Sequence, residues 1–467
     1  MMPSELRATS GLAAIYAVRM AGLFMVLPVF VLYADVLPGA TPFLMGLALG
    51  IYGLTQAILQ IPFGMLSDRI GRKPLIAFGL LLLIIGSIVA AMAETVYGVI
   101  LGRALQGAGA VAAVVLALTA DLVAEERRTR ALAVIGLTIG LTFTAAMVMG
   151  PVVDQWFGLS GIFWLTAALG CMAIIVLFAW VPSQLRALPH PDMVPVRGGI
   201  AHVLRDRELM RLNMGVFILH MTLAANFLVL PLMLVNRLGL SSAQHYQVYL
   251  PVLVLGFLLM IPMVILAERR RALKPVLVAA IALLVVVQAV LPFAVHGFAL
   301  AVTLVLFFAA FNLLEATLPS LVAKTAPVAE KGTAMGVFST SQFLGIFAGG
   351  VAGGWILTHW GASMVFALGL VGVALWWLLA SAMAPPSHLS NRSYALPVRW
   401  KPAASELQFR IGRMEGVGEV RVSAIESAIY LKVDPAVFDE PALRTLLLSH
   451  GHVAPDSPVS ATDRSMS

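Results

Sequence analysis

Long apolar segments alternate with short polar ones along most of the chain. Each of twelve segments is about 20 residues or longer, enough to cross a bilayer as a helix. They occupy about residues 8–34, 41–66, 74–93, 96–123, 130–153, 160–182, 209–236, 242–267, 274–296, 298–322, 332–357 and 361–384. After Ala384 the pattern changes to polar residues and short alternating runs. The sequence therefore predicts twelve transmembrane helices followed by a soluble part.

Composition supports a lipid environment. Hydrophobic residues make up 60% of the chain and charged residues only 11%, whereas soluble domains carry roughly 25% charged residues. The first apolar run is too long for a signal peptide, so we expect it to be retained. The one cysteine, Cys171, lies in a predicted helix, which leaves no internal disulfide and no cysteine-based metal site. We expect no metal and no cofactor.

The net charge of +7 reflects topology rather than nucleic-acid binding. Basic residues concentrate in alternate loops, as the positive-inside rule requires for cytoplasmic loops. With an even number of helices, this bias places both termini in the cytoplasm of a multi-pass bacterial inner-membrane protein. The basic loop residues are Arg69, Arg72, Lys73, Arg127, Arg128, Arg130, Arg269, Arg270, Arg271 and Lys274.

The membrane part repeats itself at an offset of about 200 residues. Ile61-Pro62 corresponds to Ile261-Pro262, and Gly150 corresponds to Gly350. A shared offset across several helices indicates two related six-helix halves, a layout typical of secondary transporters. We therefore divide the chain into a first bundle, a cytoplasmic linker, a second bundle, a further linker, a soluble domain and a disordered tail, at residues 1–183, 184–208, 209–384, 385–404, 405–454 and 455–467.

The loop after the second predicted helix carries the most specific motif, GMLSDRIGRKP. Gly64 allows a neighbouring helix to approach closely, and Gly71 permits a tight turn. The Asp68 carboxylate suits the amides at a nearby helix N-terminus, and Arg72 can reach Asp121. The alternative is that the loop only fixes topology and touches lipid phosphates. The proposed gating set is Gly64, Asp68, Arg69, Gly71, Arg72, Lys73 and Asp121.

This loop resembles the signature loop of the major facilitator superfamily, and the run LGRALQGAG around Arg103 resembles its second motif. The set Gly136, Gly140, Gly150 and Pro151 resembles the motif of proton-coupled antiporters in the family. Val-Val-Asp follows Pro151 where the family usually has more glycine, so ordinary small-residue packing stays an alternative. The run GLFMVLPVF in the first helix, together with the appended soluble domain, resembles the YajR-type subgroup.

The resemblance implies a fold and a cavity. The fold is an all-α membrane protein of twelve transmembrane helices in two pseudo-symmetric six-helix bundles. In this family, helices 1, 4, 7 and 10 line the central cavity. Those helices carry the ionisable residues Arg19, Arg103, His220 and Glu315 respectively.

A charge at mid-bilayer costs about 2.5–3.5 kcal/mol, so these side chains should face water or one another. Glu315 is the one acid in the predicted membrane core and is our candidate proton carrier; His220 also titrates near neutrality. A permanent Arg19–Glu315 pair and direct substrate contact are the alternatives. Asn226 and Asn312 are candidates for substrate binding, or for bridging helices.

The soluble part reads as a helix, two strands and a second helix. It resembles the small α+β ferredoxin-like modules of the heavy-metal-associated type, but it contains no cysteine, which excludes copper binding by thiolates. His450 and His452 are more typical of an ordinary surface than of a metal site.

The function these patterns predict is secondary active transport, as proton-coupled efflux of a small amphipathic compound by alternating access. The expected partners are this substrate, protons and the lipid bilayer. We expect one chain to be the transport unit, with self-association through the soluble domain as an alternative. A metabolite symporter or uniporter, and a membrane sensor that uses the soluble domain, stay open. The sequence shows no pairing of a nucleophile with a base and no cluster of metal ligands, so we do not expect an enzyme.

Overall fold

The computed structural model describes residues 3–123, 125–182, 199–270, 272–327, 330–384, 390–424, 428–434 and 436–448. The chain forms two compact units. The larger comprises Met1–Ala326 with Glu330–Pro386, and the smaller comprises Pro327–Ala329 with Ser387–Ser467.

The larger unit is helical. Its helices are α1 (Pro3–Phe24), α2 (Pro42–Ile70), α3 (Arg72–Ala91), α4 (Val96–Ala108), α5 (Ala112–Leu122), α6 (Glu125–Ala179), α7 (Gly199–Arg205), α8 (Arg207–Asn226), α9 (Leu230–Leu238), α10 (Tyr246–Arg269), α11 (Leu273–Val290), α12 (Gly297–Thr325), α13 (Lys331–Trp360) and α14 (Ala362–Ser381). The stretch expected as a linker, 184–208, thus contributes the short helix α7.

Ten segments of the described chain are long and apolar enough to cross a membrane. The long helix α6 holds two crossings, because Gly158 breaks it with φ 64° and ψ −171°. Helix α1, which carries Glu5, Arg7 and Arg19, is not among these ten segments but packs along α6. With α6 counted as two and α1 included, the described chain has the twelve crossings that the sequence predicts.

Three predicted spans are interrupted near mid-membrane. The first ends as α1 at Phe24 and resumes in a 3-10 turn at Phe30–Tyr33. The fourth breaks between α4 and α5 at Gly109, where a Cβ would lie 2.3 Å from the Gly79 carbonyl oxygen. The seventh breaks between α8 and α9, just before Pro231. Proline and tightly packed glycine account for these breaks, since proline lacks an N–H and ends a helical hydrogen-bond ladder.

The two halves contact each other at one end of the bundle. We call the end that carries Gly71 the signature end and the other end the far end. A Cβ on Gly46 would lie 2.1 Å from the Gly350 carbonyl oxygen, and one on Gly53 would lie 2.5 Å from the Phe343 carbonyl oxygen. Helices α2 and α13 therefore touch backbone to backbone towards the far end.

Glycines at the signature end are not packed in this way. A Cβ on Gly64, Gly136, Gly140 or Gly336 would have nothing within 4 Å. The expectation that Gly64, Gly136 and Gly140 sit at close helix contacts is therefore wrong for this conformation. The bundle is closed at its far end, while these glycines at the signature end face open space.

The smaller unit is an α+β domain. Its strands β1 (Ser390–Ala395), β2 (Val417–Ser423) and β3 (Ala428–Val433) form an antiparallel sheet in the order β1-β3-β2. Helices α15 (Ala404–Gly412) and α16 (Glu440–Leu448) complete the described part. A ferredoxin-like fold has this order for its first three strands. The described residues do not include a fourth strand.

The core of the smaller unit includes Trp400, which is buried together with Leu407, Ile411, Leu431 and Leu443. The stretch 385–404, expected as a linker, therefore supplies both a strand and a core tryptophan. The expected disordered tail, residues 455–467, lies outside the described residues, and so do His450 and His452.

Candidate functional site

The four ionisable side chains expected near mid-membrane fall into two separate groups. His220 and Glu315 lie together in the second half, on α8 and α12. Arg19 and Arg103 flank Tyr52 of α2 in the first half. The Arg19–Glu315 ion pair, the alternative to proton carriage by Glu315, is not formed among the described residues, because Glu315 takes its partners from its own half.

Glu315, His220 and Gln342 form a polar triad. The Gln342 amide nitrogen donates to Glu315 Oε1 at 3.1 Å and lies 2.8 Å from His220 Nε2. Glu315 Oε2 is 3.6 Å from His220 Nε2 and has no hydrogen-bond partner within the described part of the chain. His220 is buried, whereas the Glu315 side chain is 35% exposed. The triad thus joins three helices and reaches open space through Glu315.

This geometry suits a neutral histidine. His220 Nδ1 lies 3.1 Å from the Val216 carbonyl oxygen, so Nδ1–H donates there and Nε2 accepts from Gln342. Protonation at Nε2 would turn that nitrogen into a donor facing Glu315 Oε2, and the Gln342 amide would have to turn over. The triad therefore offers two alternative places for one proton, His220 Nε2 and the Glu315 carboxylate.

Arg103 is anchored within the first half. Its guanidinium donates to the Gly22 carbonyl at 3.2 Å, to Gln106 Oε1 at 2.9 Å and to the Ala48 carbonyl at 3.4 Å. It also stacks 4.8 Å from the Tyr52 ring centroid. These contacts tie α1, α2 and α4 together. They favour a structural role for Arg103 over proton coupling.

The two asparagines differ. Asn226 is fully buried and exchanges hydrogen bonds with Gln288 of α11, at 3.0 and 3.3 Å. It bridges helices, so the geometry does not support substrate contact. Asn312 is half-buried, has no hydrogen-bond partner among the described residues and precedes Glu315 by one helical turn. It therefore lies on the same side of α12 as the triad.

Aromatic rings from both halves meet on the far side of these polar groups. Phe143 of α6 lies 4.8 Å from Phe24 and stacks 6.3 Å from Phe311 of α12. Phe308 lies 6.0 Å from Phe143, between ring centroids. We call Phe24, Phe143, Phe308 and Phe311 the aromatic cluster. It closes the interior towards the far end with apolar surface.

At the signature end, Arg72 collects the polar groups of the motif. Its guanidinium pairs with Asp68 at 2.6 Å and with Asp121 at 3.2 Å, and it also donates to Ser67. Gly71 has φ 97°, the left-handed region that glycine adopts readily. The contact between Arg72 and Asp121 that the sequence suggested is thus present.

The other motif residues are also placed. Arg69 is exposed, and Lys73 donates to the Val181 carbonyl at 2.5 Å. Asp68 is bound to Arg72 within its own half, and no bond to the amides of a helix N-terminus is seen for it in the described residues. Gly150 packs against the first span of the same half, where a Cβ would lie 2.2 Å from the Met25 carbonyl oxygen. Helix α6 continues through Pro151.

Sequence reasoning missed Gln342 and the tyrosines beside Arg19. Gln342 is the one amide side chain in the predicted span 332–357, a signal that could have been used. Tyr16 precedes Arg19 by one helical turn and is buried, and the Tyr52 hydroxyl accepts from Arg19.

The membrane part has two related six-helix halves, which meet at a glycine-lined contact and hold polar side chains in the interior. This is the architecture of polytopic secondary transporters. The sequence profile of the Major Facilitator Superfamily matches residues 12–350 and 253–425. The chain belongs to the Major Facilitator Superfamily, a family of transporters rather than enzymes.

Individual relatives narrow the placement. The chain is 44% identical over 439 residues to the inner membrane transport protein YajR of Escherichia coli K12, covering 94% of this chain and 96% of that protein. It is 26% identical over 392 residues to the multidrug resistance protein MdtH of Cronobacter sakazakii, covering 80% and 94%. The chain is thus a YajR-type multi-pass inner-membrane transporter that handles a small-molecule substrate.

A solved structure agrees on the fold. A bacterial homologue of the human lysosomal transporter Spinster superposes with a TM-score of 0.66 at 13% identity, covering 82% of this chain and 98% of that one. At this identity the likeness bears on the fold alone.

Proposed function

We propose that the protein exports a small amphipathic compound in exchange for protons, by alternating access. The triad of His220, Gln342 and Glu315 carries this proposal. A carboxylate that is one-third exposed, with one oxygen 3.6 Å from a buried imidazole, can collect a proton from the open side and share it with that imidazole. Family membership supplies the transporter class, and the relation to MdtH favours efflux.

The open side is the cytoplasmic one in this proposal. The basic loops lie at the signature end, and the positive-inside rule favours that end in the cytoplasm, with both termini there. Because the bundle is closed at its far end, this conformation is then open towards the cytoplasm. Glu315 would take or release its proton towards the cytoplasm in this state.

The signature motif would latch the opposite state. Here Arg72, Asp68 and Asp121 form an ion-pair group inside the first half. Asp68 is the more exposed acid, at 28% against 4% for Asp121. We propose that Asp68 binds the second half when the signature end closes, while Asp121 keeps Arg72 in place throughout the cycle.

Reconstituted flux tests the proposal. Purified protein in proteoliposomes should drive uphill movement of a fluorescent amphipathic compound under an imposed pH gradient. Glu315→Gln keeps the shape and the bond to Gln342 but cannot carry a proton. We expect this variant to lose gradient-driven accumulation by at least tenfold while retaining downhill exchange.

Other outcomes separate the rivals. Full uphill transport by Glu315→Gln would contradict proton carriage at this residue. Accumulation with the proton gradient reversed in sign would identify a symporter. The absence of any flux, with specific ligand binding retained, would identify a sensor.

A further inference from the structure

Arg19 is a buried cation with an incomplete set of partners. It is 2% exposed, at mid-membrane on α1. Its one hydrogen bond runs from Nη2 to the Tyr52 hydroxyl at 3.4 Å. Nε and Nη1 have no hydrogen-bond partner among the described residues. Because an unpaired buried charge is costly, an acceptor must reach this guanidinium at some stage of the cycle.

The neighbouring charges do not supply that acceptor. Arg103, the second buried guanidinium of this half, already binds two backbone carbonyls and Gln106. Glu315, the acid nearest in depth, is held by Gln342 and faces His220. The interior of the first half therefore keeps two positive charges, with no carboxylate in ion-pair distance of either in the described residues.

The unpaired atoms have a shape that selects their ligand. Nη2 carries two hydrogens, of which Tyr52 takes one. The other lies parallel to the free N–H of either Nε or Nη1, and such a pair binds a planar carboxylate or a sulfonate with two parallel hydrogen bonds. The Tyr52 hydroxyl accepts from Nη2, so its own hydrogen is available to the same anion.

An apolar surface lies next to this cation. Phe24 follows Arg19 by five residues, roughly 7.5 Å further along α1. Phe311 precedes Glu315 by four residues, roughly 6 Å along α12. A ligand with its charged group at Arg19 can therefore place an apolar or aromatic body against the aromatic cluster, on the far side of the polar level.

We propose that Arg19 binds the anionic group of the substrate, and that the substrate is an amphipathic organic anion. The inference rests on the proposed transport function and names the chemical class of its cargo. The competing account is that Arg19 pairs with Glu315 in another conformation and touches no substrate. The two accounts predict different ligand preferences and different effects of removing Arg19.

Matched ligands test the charge preference. Full-length protein in detergent is titrated with 1-naphthoate, 1-naphthylmethylammonium and 1-naphthamide, and with the phenyl and biphenyl analogues of each. The body is constant within each set and only the charge changes. We expect stabilisation in thermal melts by at least one carboxylate and by neither of its matched partners. Equal effects of all three, preference for the ammonium compounds, or no stabilisation by any carboxylate would overturn the proposal.

Variants test the residue. Arg19→Gln should weaken binding of the stabilising carboxylate at least tenfold, whereas Arg19→Lys, which keeps the charge without the planar fork, should lose less. The ligand-free melting temperature of Arg19→Gln should not fall, because its unpaired donors contribute nothing to the empty protein. Arg103→Gln, which breaks three hydrogen bonds, should lower it and is the matched control. Unchanged carboxylate binding by Arg19→Gln would support the Arg19–Glu315 pair instead.

The test of anion binding at Arg19 can succeed or fail independently of the test of proton-coupled transport. Carboxylate binding that depends on Arg19, without gradient-driven movement in proteoliposomes, would keep this inference and remove proton-coupled transport. Gradient-driven movement of the ammonium compounds alone would keep proton coupling and overturn the anion site.

Discussion

At the residue scale, the buried polar groups differ in whether their partners are complete. Asn226 exchanges hydrogen bonds with Gln288, and Arg103 donates three hydrogen bonds within its own half, which leaves one nitrogen, Nη2, unpaired among the described residues. Arg19 has two unpaired nitrogens there, and the partly exposed Glu315 has one unpaired oxygen. Because each unpaired buried atom is unfavourable, we expect the surroundings of Arg19 and Glu315 to change during the cycle. Hydropathy alone does not distinguish these four residues, because it depends on the residue type and not on the hydrogen-bond partners of each side chain.

The two acids that pair with Arg72, Asp68 and Asp121, should respond differently to neutralisation. Asp68→Asn removes the exposed partner of Arg72 and leaves Asp121 and Ser67 in place, so we expect a melting temperature within a few degrees of wild type. If Asp68 serves the other state, flux in proteoliposomes should still fall several-fold. Wild-type flux would contradict its gating role. The same change at Glu268, in the degenerate second copy of the loop, should be milder.

Asp121→Asn is the matched comparison. Asp121 is buried beside a buried arginine, and breaking a buried pair typically costs about 3–5 kcal/mol. We therefore expect a clear loss of thermal stability in addition to lost flux. Equal stability of the two variants would show that Arg72 does not depend on Asp121.

At the element scale, periodicity and length predicted every long helix, but not the interruptions in the first, fourth and seventh spans. The breaks follow from Pro231 and from the Gly79–Gly109 contact, and the glycine contact depends on tertiary neighbours that a sequence does not show. The same limit explains the glycines of the antiporter-like motif. Gly136 and Gly150 share a pattern in the sequence, yet only Gly150 meets a backbone in this conformation.

The glycine contact between α2 and α13 gives an element-scale prediction. Gly46→Ala would place a methyl group about 2.1 Å from the Gly350 carbonyl, so the two helices must separate. Overpacking of this kind typically costs about 1–3 kcal/mol. We expect a lower melting temperature and a population shifted towards opening at the far end, measured by labelling of a cysteine placed there in a Cys171→Ser background.

Gly336→Ala is the control for this prediction. A methyl group there meets nothing within 4 Å, and alanine favours a helix over glycine by about 1 kcal/mol. Its melting temperature should equal or exceed that of wild type. A similar loss in both variants would mean that the α2–α13 contact does not hold the far end closed.

At the scale of the whole molecule, the sequence predicted the transporter bundle well and the soluble unit less completely. Repeats, loop charges and the signature motif are long-range patterns that survive in one sequence. Strand β1 was missed because it reads Ser-Asn-Arg-Ser-Tyr-Ala, a mostly polar strand that pairs with β3 at the edge of the sheet formed by the described residues. Edge strands often show only weak alternation of apolar and polar residues. The polar stretch 385–404 was therefore predicted to be a linker.

The last prediction concerns the independence of the two units. The smaller unit has its own core around Trp400, and the larger contains both halves, the triad and the signature loop. A chain truncated after Pro386 should therefore insert, melt cooperatively and move substrate in proteoliposomes at a rate within a few-fold of the full chain. Trp400→Ala in the full chain, which removes the largest side chain of the small core, is the matched control. It should unfold the smaller unit without removing it, and flux should match that of the truncated protein. Loss of flux in both variants with intact melting of the larger unit would show that the smaller unit takes part in the transport cycle. Loss in Trp400→Ala alone would mean that an unfolded domain obstructs the bundle, which leaves the independence of the larger unit standing.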